Sequence, residues 1–198
     1  MIAVADAGLG NIASVANMLD YLAFEAVVMQ EPGDLRGVSH VILPGVGSFD
    51  EGMDSLERTG WGQALIDHQR DVKILGVCLG MQLLSRSSDE GSKAGLGLIP
   101  ADFVRIDSTR VAVPHMGWNE VRVVRTSALF PEPIAHERFY FTHSYRAQCS
   151  DPEVVLALTE HGEEIVAAYG AGNVYGVQFH PEKSHVFGMS LLRRFASI

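Results

Sequence analysis

The stretch ILGVCLGMQLL, residues 74–84, runs from an unbroken apolar segment, through a cysteine bracketed by glycines, into a helical pattern. An apolar run without polar alternation suits a strand covered on both faces, as in a parallel sheet. Gly76-Val77-Cys78-Leu79-Gly80 then has the G-x-nucleophile-x-G form of a nucleophile elbow. The glycines permit a turn sharp enough to expose the middle side chain. That turn leaves Cys78 beside the N-terminus of the next helix, where unpaired N–H groups and the helix dipole favour a thiolate over a thiol. The N–H of Leu79 is then positioned as one half of an oxyanion hole. The plainer reading is a buried cysteine acting as a small apolar residue in a tight turn. Strand, glycine pair and helix together favour the nucleophile.

Working outward, the first half alternates short apolar runs (IAVA, EAVVM, HVILPG, VKILGV) with helical periods. In NIASVANMLDYLA, for example, Ile12, Val15, Ala16, Leu19 and Leu22 share one face. An acidic-to-basic segment follows from Phe49 to Arg70. Strands separated by helices predict a parallel sheet covered on both sides. The second half changes character: NEVRVV, RFYFTHSY, EVVLALTE, EEIVAAYG and NVYGVQF are spaced closely by Gly, Pro and acidic turns, as in antiparallel pairs. A last helix, roughly 186–196, turns Phe187, Leu191, Leu192 and Phe195 inward. The expected fold is α/β, with a mostly parallel central sheet, flanking helices and additional antiparallel strands, in one domain over residues 1–198.

The chain has 198 residues, 47% hydrophobic and 20% charged, enough for a substantial core. Its net charge of -9 would repel nucleic acid and anionic membrane surfaces, so a small molecule or another protein is the expected partner. No apolar run is long enough to span a bilayer, and MIAVADAGLG lacks the basic start and cleavage site of a signal peptide, so a cytoplasmic location is expected. The two cysteines, Cys78 and Cys149, have no zinc-site spacing; both are expected to be free thiols, with no metal and no cofactor. Cys149, in AQCSDP, reads as structural.

A cysteine that also supports hydrolysis needs a histidine to move protons and a group to orient it. Eight histidines compete. His68, His136 and His161 lie in polar helix or turn sequence and read as exposed, while His40 precedes a buried strand. His115, His143 and His185 sit in motif-like loops without an adjacent acid. His180 ends the apolar run VYGVQF; Pro181 stiffens the exit and Glu182 follows at i+2, on the same side of an extended chain. Cys78, His180 and Glu182 are therefore the expected triad. For the second oxyanion donor the N–H of Val46 is chosen, in the glycine-flanked PGVG at the end of the third strand, which otherwise reads as an ordinary strand-end turn.

Gly8-Leu9-Gly10-Asn11-Ile12-Ala13 fits the dinucleotide fingerprint, and Glu31 lies near the ribose-binding position, which would suit an NAD-linked dehydrogenase. That reading leaves the elbow and the His180–Glu182 pair unexplained. A thiol redox sensor would explain the elbow but not HPE.

GVCLG and HPE resemble the elbow and signature of the class I, or triad-type, glutamine amidotransferases, whose fold is flavodoxin-like. LPGVGSF, CLGMQLL, PHMGWNE, FYFTHSY and QFHPEKS extend the resemblance over essentially the whole chain, toward the glutaminases of histidine biosynthesis. One departure is Ala7 in DAGLGN, where tyrosine is common. The resemblance implies a glutaminase that hydrolyses L-glutamine and delivers ammonia to a separate (β/α)8-barrel synthase subunit. It further implies that Gly47, Gln82, Glu90, His143, Ser144 and Tyr145 contact glutamine. Asn11, Met116, Trp118, Tyr140 and Lys183 would face the partner or the ammonia exit. HPEKSHVFGMSLLRRF and SSDEGSKAGLGL are also compatible with a paralogous glutaminase serving an enzyme that amidinates sugars of surface polysaccharides.

Overall fold

The computed structural model describes residues 1–33, 35–132 and 137–198; His136 lies outside them. The strands, in chain order, are β1 (Ile2–Ala5), β2 (Ala26–Met29), β3 (His40–Gly45), β4 (Lys73–Cys78), β5 (Ser87–Ser88), β6 (Ala101–Arg105), β7 (His115–Glu120), β8 (Arg122–Val123), β9 (Arg138–His143), β10 (Tyr145–Cys149), β11 (Val155–Glu160), β12 (Glu164–Ala171) and β13 (Val174–Val177). The helices are α1 (Ile12–Tyr21), α2 (Phe49–Thr59), α3 (Trp61–His68), α4 (Leu79–Leu83) and α5 (His185–Ala196).

An eight-stranded sheet in the order β2-β1-β3-β4-β13-β12-β11-β8 runs through the molecule. From β2 to β13 every neighbour is parallel, and from β13 to β8 every neighbour is antiparallel. The parallel and antiparallel halves expected from the sequence thus share one sheet. Smaller sheets, β10-β6-β5 and β7-β9, complete the second half.

Side-chain alternation divides the apolar strand residues between two cores. Ala3, Ala5, Val41, Leu43 and Ile74 pack with Leu56, Trp61 and Leu65 of α2 and α3 on one face. Ile2, Val4, Ile42, Leu75 and Val77 pack with Val15 and Leu19 of α1 and Leu191, Leu192 and Phe195 of α5 on the other. Each fully buried leucine contributes about 1.5–3 kcal/mol of transfer free energy. The 49–70 segment forms two helices because Gly60, at φ 78, ends α2 in a left-handed conformation and opens α3 at once. β2 departs from the fully covered strand expected: Val27 and Val28 are exposed, because β2 is an edge strand.

Candidate active site

Parallel strands point the same way, so the loops leaving β1, β3, β4 and β13 gather at one edge of the sheet. The register sets Gly45 beside Cys78 and Val177 beside Val77, which brings PGVG, the elbow and the 178–182 segment together. Cys78 has φ 53 and ψ -108, a conformation L-residues rarely adopt and one that concentrates at functional sites. Its glycines are required by close approach. A Cβ on Gly80 would lie 1.9 Å from the Leu43 carbonyl oxygen, and one on Gly76 would lie 2.5 Å from the Gly80 carbonyl oxygen. The helix that follows is only five residues long, so dipole support for a thiolate comes from little more than one turn.

His180 is fixed by its backbone N–H, which donates to Tyr140 O at 2.9 Å, and by its carbonyl, which accepts from Ser184 Oγ at 2.5 Å. Its Nδ1 lies 2.6 Å from Glu182 Oε1, and both side chains are shielded from solvent. The i, i+2 spacing predicts this pair on an extended segment; the contact instead closes through a short 3₁₀ turn, Pro181–Lys183. Asn11 Nδ2 also donates to Glu182 Oε1. With Nδ1 donating to the carboxylate, Nε2 remains on the Cys78 side to exchange protons. Burial lowers the pKa of His180, but hydrogen bonding and charge from Cys78 and Glu182 outweigh it and raise the value to about 9.

A cavity of about 300 Å³ is lined by Val46, Gly47, Cys78, Leu79, Gln82, Glu90, Thr142, His143, Ser144, Tyr145 and His180. It thus contains the whole set expected to surround glutamine. Glu90 Oε2 accepts the Phe49 N–H at 2.9 Å, tying that wall to the start of α2. His143 is held by two contacts, Nδ1 to Tyr145 O at 2.7 Å and Nε2 to His115 Nδ1 at 2.9 Å. Burial, chiefly, lowers the pKa of His143 to about 3 and that of His115 to about 4, so both rings are neutral near pH 7. His161, read as exposed, stacks on His115 at 4.3 Å because the β11–β12 turn folds over it.

The N–H expected as the second oxyanion donor is engaged elsewhere in this conformation. The Val46 N–H does not face the cavity as a free donor; it donates to Leu9 O at 2.9 Å, since the loop after β1 lies against PGVG. That loop is the glycine-rich stretch resembling a dinucleotide fingerprint. Its groups serve neighbouring loops, Leu9 through Val46 and Asn11 through Glu182.

The residues expected at a partner or ammonia exit gather just outside the triad. Met116 and Trp118 project from one face of β7 and are 62% and 40% exposed. Trp118 meets the Tyr140 ring edge-on, and Lys183 Nζ stands 5.8 Å from that ring's centre. Sequence reasoning missed His185, stacked on Trp118 at 5.5 Å, and Gln178, whose Nε2 lies 3.7 Å from Cys78 Sγ. Gln178 had a signal: it is the one polar residue in VYGVQF. Cys149 is half-buried, and burial raises its pKa to about 11. Among the described residues no cluster of histidine, cysteine or carboxylate could hold a metal ion, and no helix is long and apolar enough to cross a membrane.

An elbow cysteine facing a carboxylate-bound histidine across a small cavity, on a sheet of this order, defines a class of protein. The chain belongs to the class I glutamine amidotransferase family, whose sequence profile matches residues 3–197. Solved structures share the fold. PurLQS from Thermotoga maritima has a TM-score of 0.75 at 19% identity, covering 99% of this chain and 97% of its own. A glutamine amidotransferase from the same organism gives 0.65, at 16% identity, with 100% and 83% covered.

Curated relatives are more specific. The chain is 45% identical, over 100% of both sequences, to imidazole glycerol phosphate synthase subunit HisH of Bdellovibrio bacteriovorus. It is 44% identical, over 98% of both, to imidazole glycerol phosphate synthase subunit HisH 2 of Methanococcus maripaludis. It is 42% identical to imidazole glycerol phosphate synthase hisHF, chloroplastic, of Arabidopsis thaliana, with 98% of this chain matching 34% of that protein.

Proposed function

We propose that residues 1–198 form one glutaminase domain, the ammonia-supplying component of an imidazole glycerol phosphate synthase. The observation that carries the reading is that the elbow Cys78 and His180 border one cavity of about 300 Å³, with Glu182 Oε1 2.6 Å from the histidine's Nδ1. That volume is at the lower end for ligand sites and suits a free amino acid. The Cys78 thiolate attacks the side-chain amide carbon of glutamine. The tetrahedral intermediate collapses as its C–N bond breaks, and protonated His180 gives its proton to the departing nitrogen, which leaves as ammonia. A glutamyl thioester remains. His180 then takes a proton from water, whose oxygen attacks the thioester, and glutamate departs as the thiolate is restored. Glu182 holds the ring and stabilises its cationic form. Gly47, Gln82, Glu90, His143, Ser144 and Tyr145 bind glutamine, and the Leu79 N–H supplies one oxyanion donor.

The Val46 N–H supplies the second donor only after its peptide turns away from Leu9 O. Glycines on either side permit that turn. Its trigger is the docking of a (β/α)8-barrel synthase onto Asn11, Met116, Trp118, Tyr140 and Lys183. Ammonia then passes to the partner, which forms imidazole glycerol phosphate and an aminoimidazole carboxamide ribotide. The match to about a third of the Arabidopsis hisHF protein leaves room there for a second catalytic unit in the same polypeptide.

The test is Cys78→Ser in the reconstituted two-subunit complex. Serine nearly preserves the elbow, but its hydroxyl ionises far less readily than a thiol. Glutamine-dependent synthesis from the histidine-pathway intermediate falls by several orders of magnitude, beyond the roughly 10²–10³ of a lost oxyanion donor. Synthesis fed with ammonium at alkaline pH persists. Loss of both activities in an assembled complex, or of neither, overturns the reading. A complex that the histidine-pathway intermediate never stimulates points to the sugar-amidinating paralogue.

A further inference from the structure

We infer that Gln178 is a catalytic residue that donates its side-chain N–H to the Cys78 sulfur and stabilises the thiolate. This rests on the proposed role of Cys78 as nucleophile. Gln178 is fully buried, one residue beyond β13, where its neighbours Val177 and Phe179 are also fully buried. An amide in such surroundings must be satisfied by hydrogen bonds. Its Nε2 donates to Cys78 Sγ at 3.7 Å, and its Oε1 accepts from Gln82 Nε2 at 3.5 Å. A neutral thiol is a weak acceptor, so an N–H directed at it gains most when the sulfur is an anion.

The need for such a donor follows from the elbow. With α4 only five residues long, helix N–H groups offer the thiolate limited support; His180 faces the sulfur from one side, the Thr142 carbonyl oxygen lies 4.0 Å from it, and the amide approaches from the β13 side as a further donor. The chain of donors continues into the cavity. Gln82 lines it and donates to Gln178, which donates to Cys78. Each bond polarises the next, so glutamine seated against Gln82 also bears on the nucleophile.

The test uses the full-length chain, Gln178→Met and iodoacetamide, with alkylation at Cys78 followed by peptide mass spectrometry from pH 5 to 10. Methionine has similar length and adapts to buried space, and the backbone bond from Gln178 N–H to Ala167 O is unaffected. Cys149, with its pKa raised to about 11, provides a slow internal reference. The alkylation midpoint moves upward by about one pH unit and the rate at pH 7 falls roughly tenfold. An unchanged profile makes Gln178 filler and overturns the inference. A downward shift also overturns it, because the amide would then accept from the thiol.

Should the variant fail to fold, the unaltered chain decides. The backbone-assigned side-chain amide resonance of Gln178 in ¹⁵N-labelled protein moves with the Cys78 alkylation midpoint; a resonance constant across that range overturns the inference. Full glutamine-dependent synthesis by Cys78→Ser would instead refute the nucleophile assignment. An inactive Cys78→Ser beside an unshifted Gln178→Met profile refutes only the role of Gln178.

Discussion

The site sets two glycine-flanked loops side by side, and their glycines do opposite work. At the elbow, Gly76 and Gly80 are pressed against backbone, with 2.5 Å and 1.9 Å available to an added Cβ. In PGVG, Gly47 has φ +116 and nothing within 4 Å, and Gly45 meets chiefly the Leu79 side chain and the Gly80 nitrogen at 3.2–3.5 Å. Glycine at the elbow removes freedom by allowing strand and helix to jam together. Glycine at Gly47 provides freedom, in a loop whose Val46 side chain is 42% exposed and whose N–H is tied to Leu9. On the proposed mechanism, the nucleophile is thus held still while the oxyanion donor is free to turn.

The comparison breaks most severely at Gly80→Ala. No flexible side chain can yield at 1.9 Å, because the obstacle is the Leu43 carbonyl in the middle of the sheet. The expected result is loss of soluble folded protein, read by circular dichroism and yield. A folded variant with wild-type melting would show that the elbow is not jammed.

Next in size is Glu182→Gln. The amide can still position the imidazole but does not stabilise its cation, so turnover in the stimulated complex falls at least about a hundredfold while the fold and glutamine binding persist. Unchanged kcat would remove Glu182 from the triad.

The loop side is probed by Gly47→Ala, which meets no steric neighbour but penalises a positive φ by about 1–2 kcal/mol, on the order of a tenfold shift between conformations. The ratio of partner-stimulated to basal glutaminase activity is expected to fall by about that factor, with little change in melting temperature. An unchanged ratio means that the loop does not turn at Gly47.

The smallest effect is on stability against pH. His180 titrates higher in the fold, near 9, so its contribution is complete below about 6.5 and lost as pH rises through 9. His115 and His143 titrate lower, near 4 and 3, so theirs is present above about 6.5 and lost as pH falls toward those values. Calorimetric melting temperatures should be highest near neutrality and decline on both sides. In Glu182→Gln the alkaline decline should shrink, and an alkaline limb of wild-type steepness would deny His180 its carboxylate-bound state.

Much of this was legible because it is local. A strand, a glycine pair and a cysteine lie in eleven consecutive residues, and histidine and carboxylate lie two apart. Even so, the His180–Glu182 contact closes through a 3₁₀ turn that i, i+2 spacing did not reveal. His161 showed the limit more plainly. Polar neighbours made it read as exposed, yet the chain returns it to stack on His115.

The sequence by itself determined the alternation of buried strands and helices, the parallel-to-antiparallel change and the sharp turn at Cys78, because periodicity and glycine placement act within a few residues. Tertiary structure alone decided that Val46 would be held by Leu9, that Asn11 would join Glu182, and that Gln178 would direct its amide at the thiol. Each of these contacts joins different loops at the common end of parallel strands. Its geometry depends on sheet register and the approach of whole elements, and no local pattern carries that information.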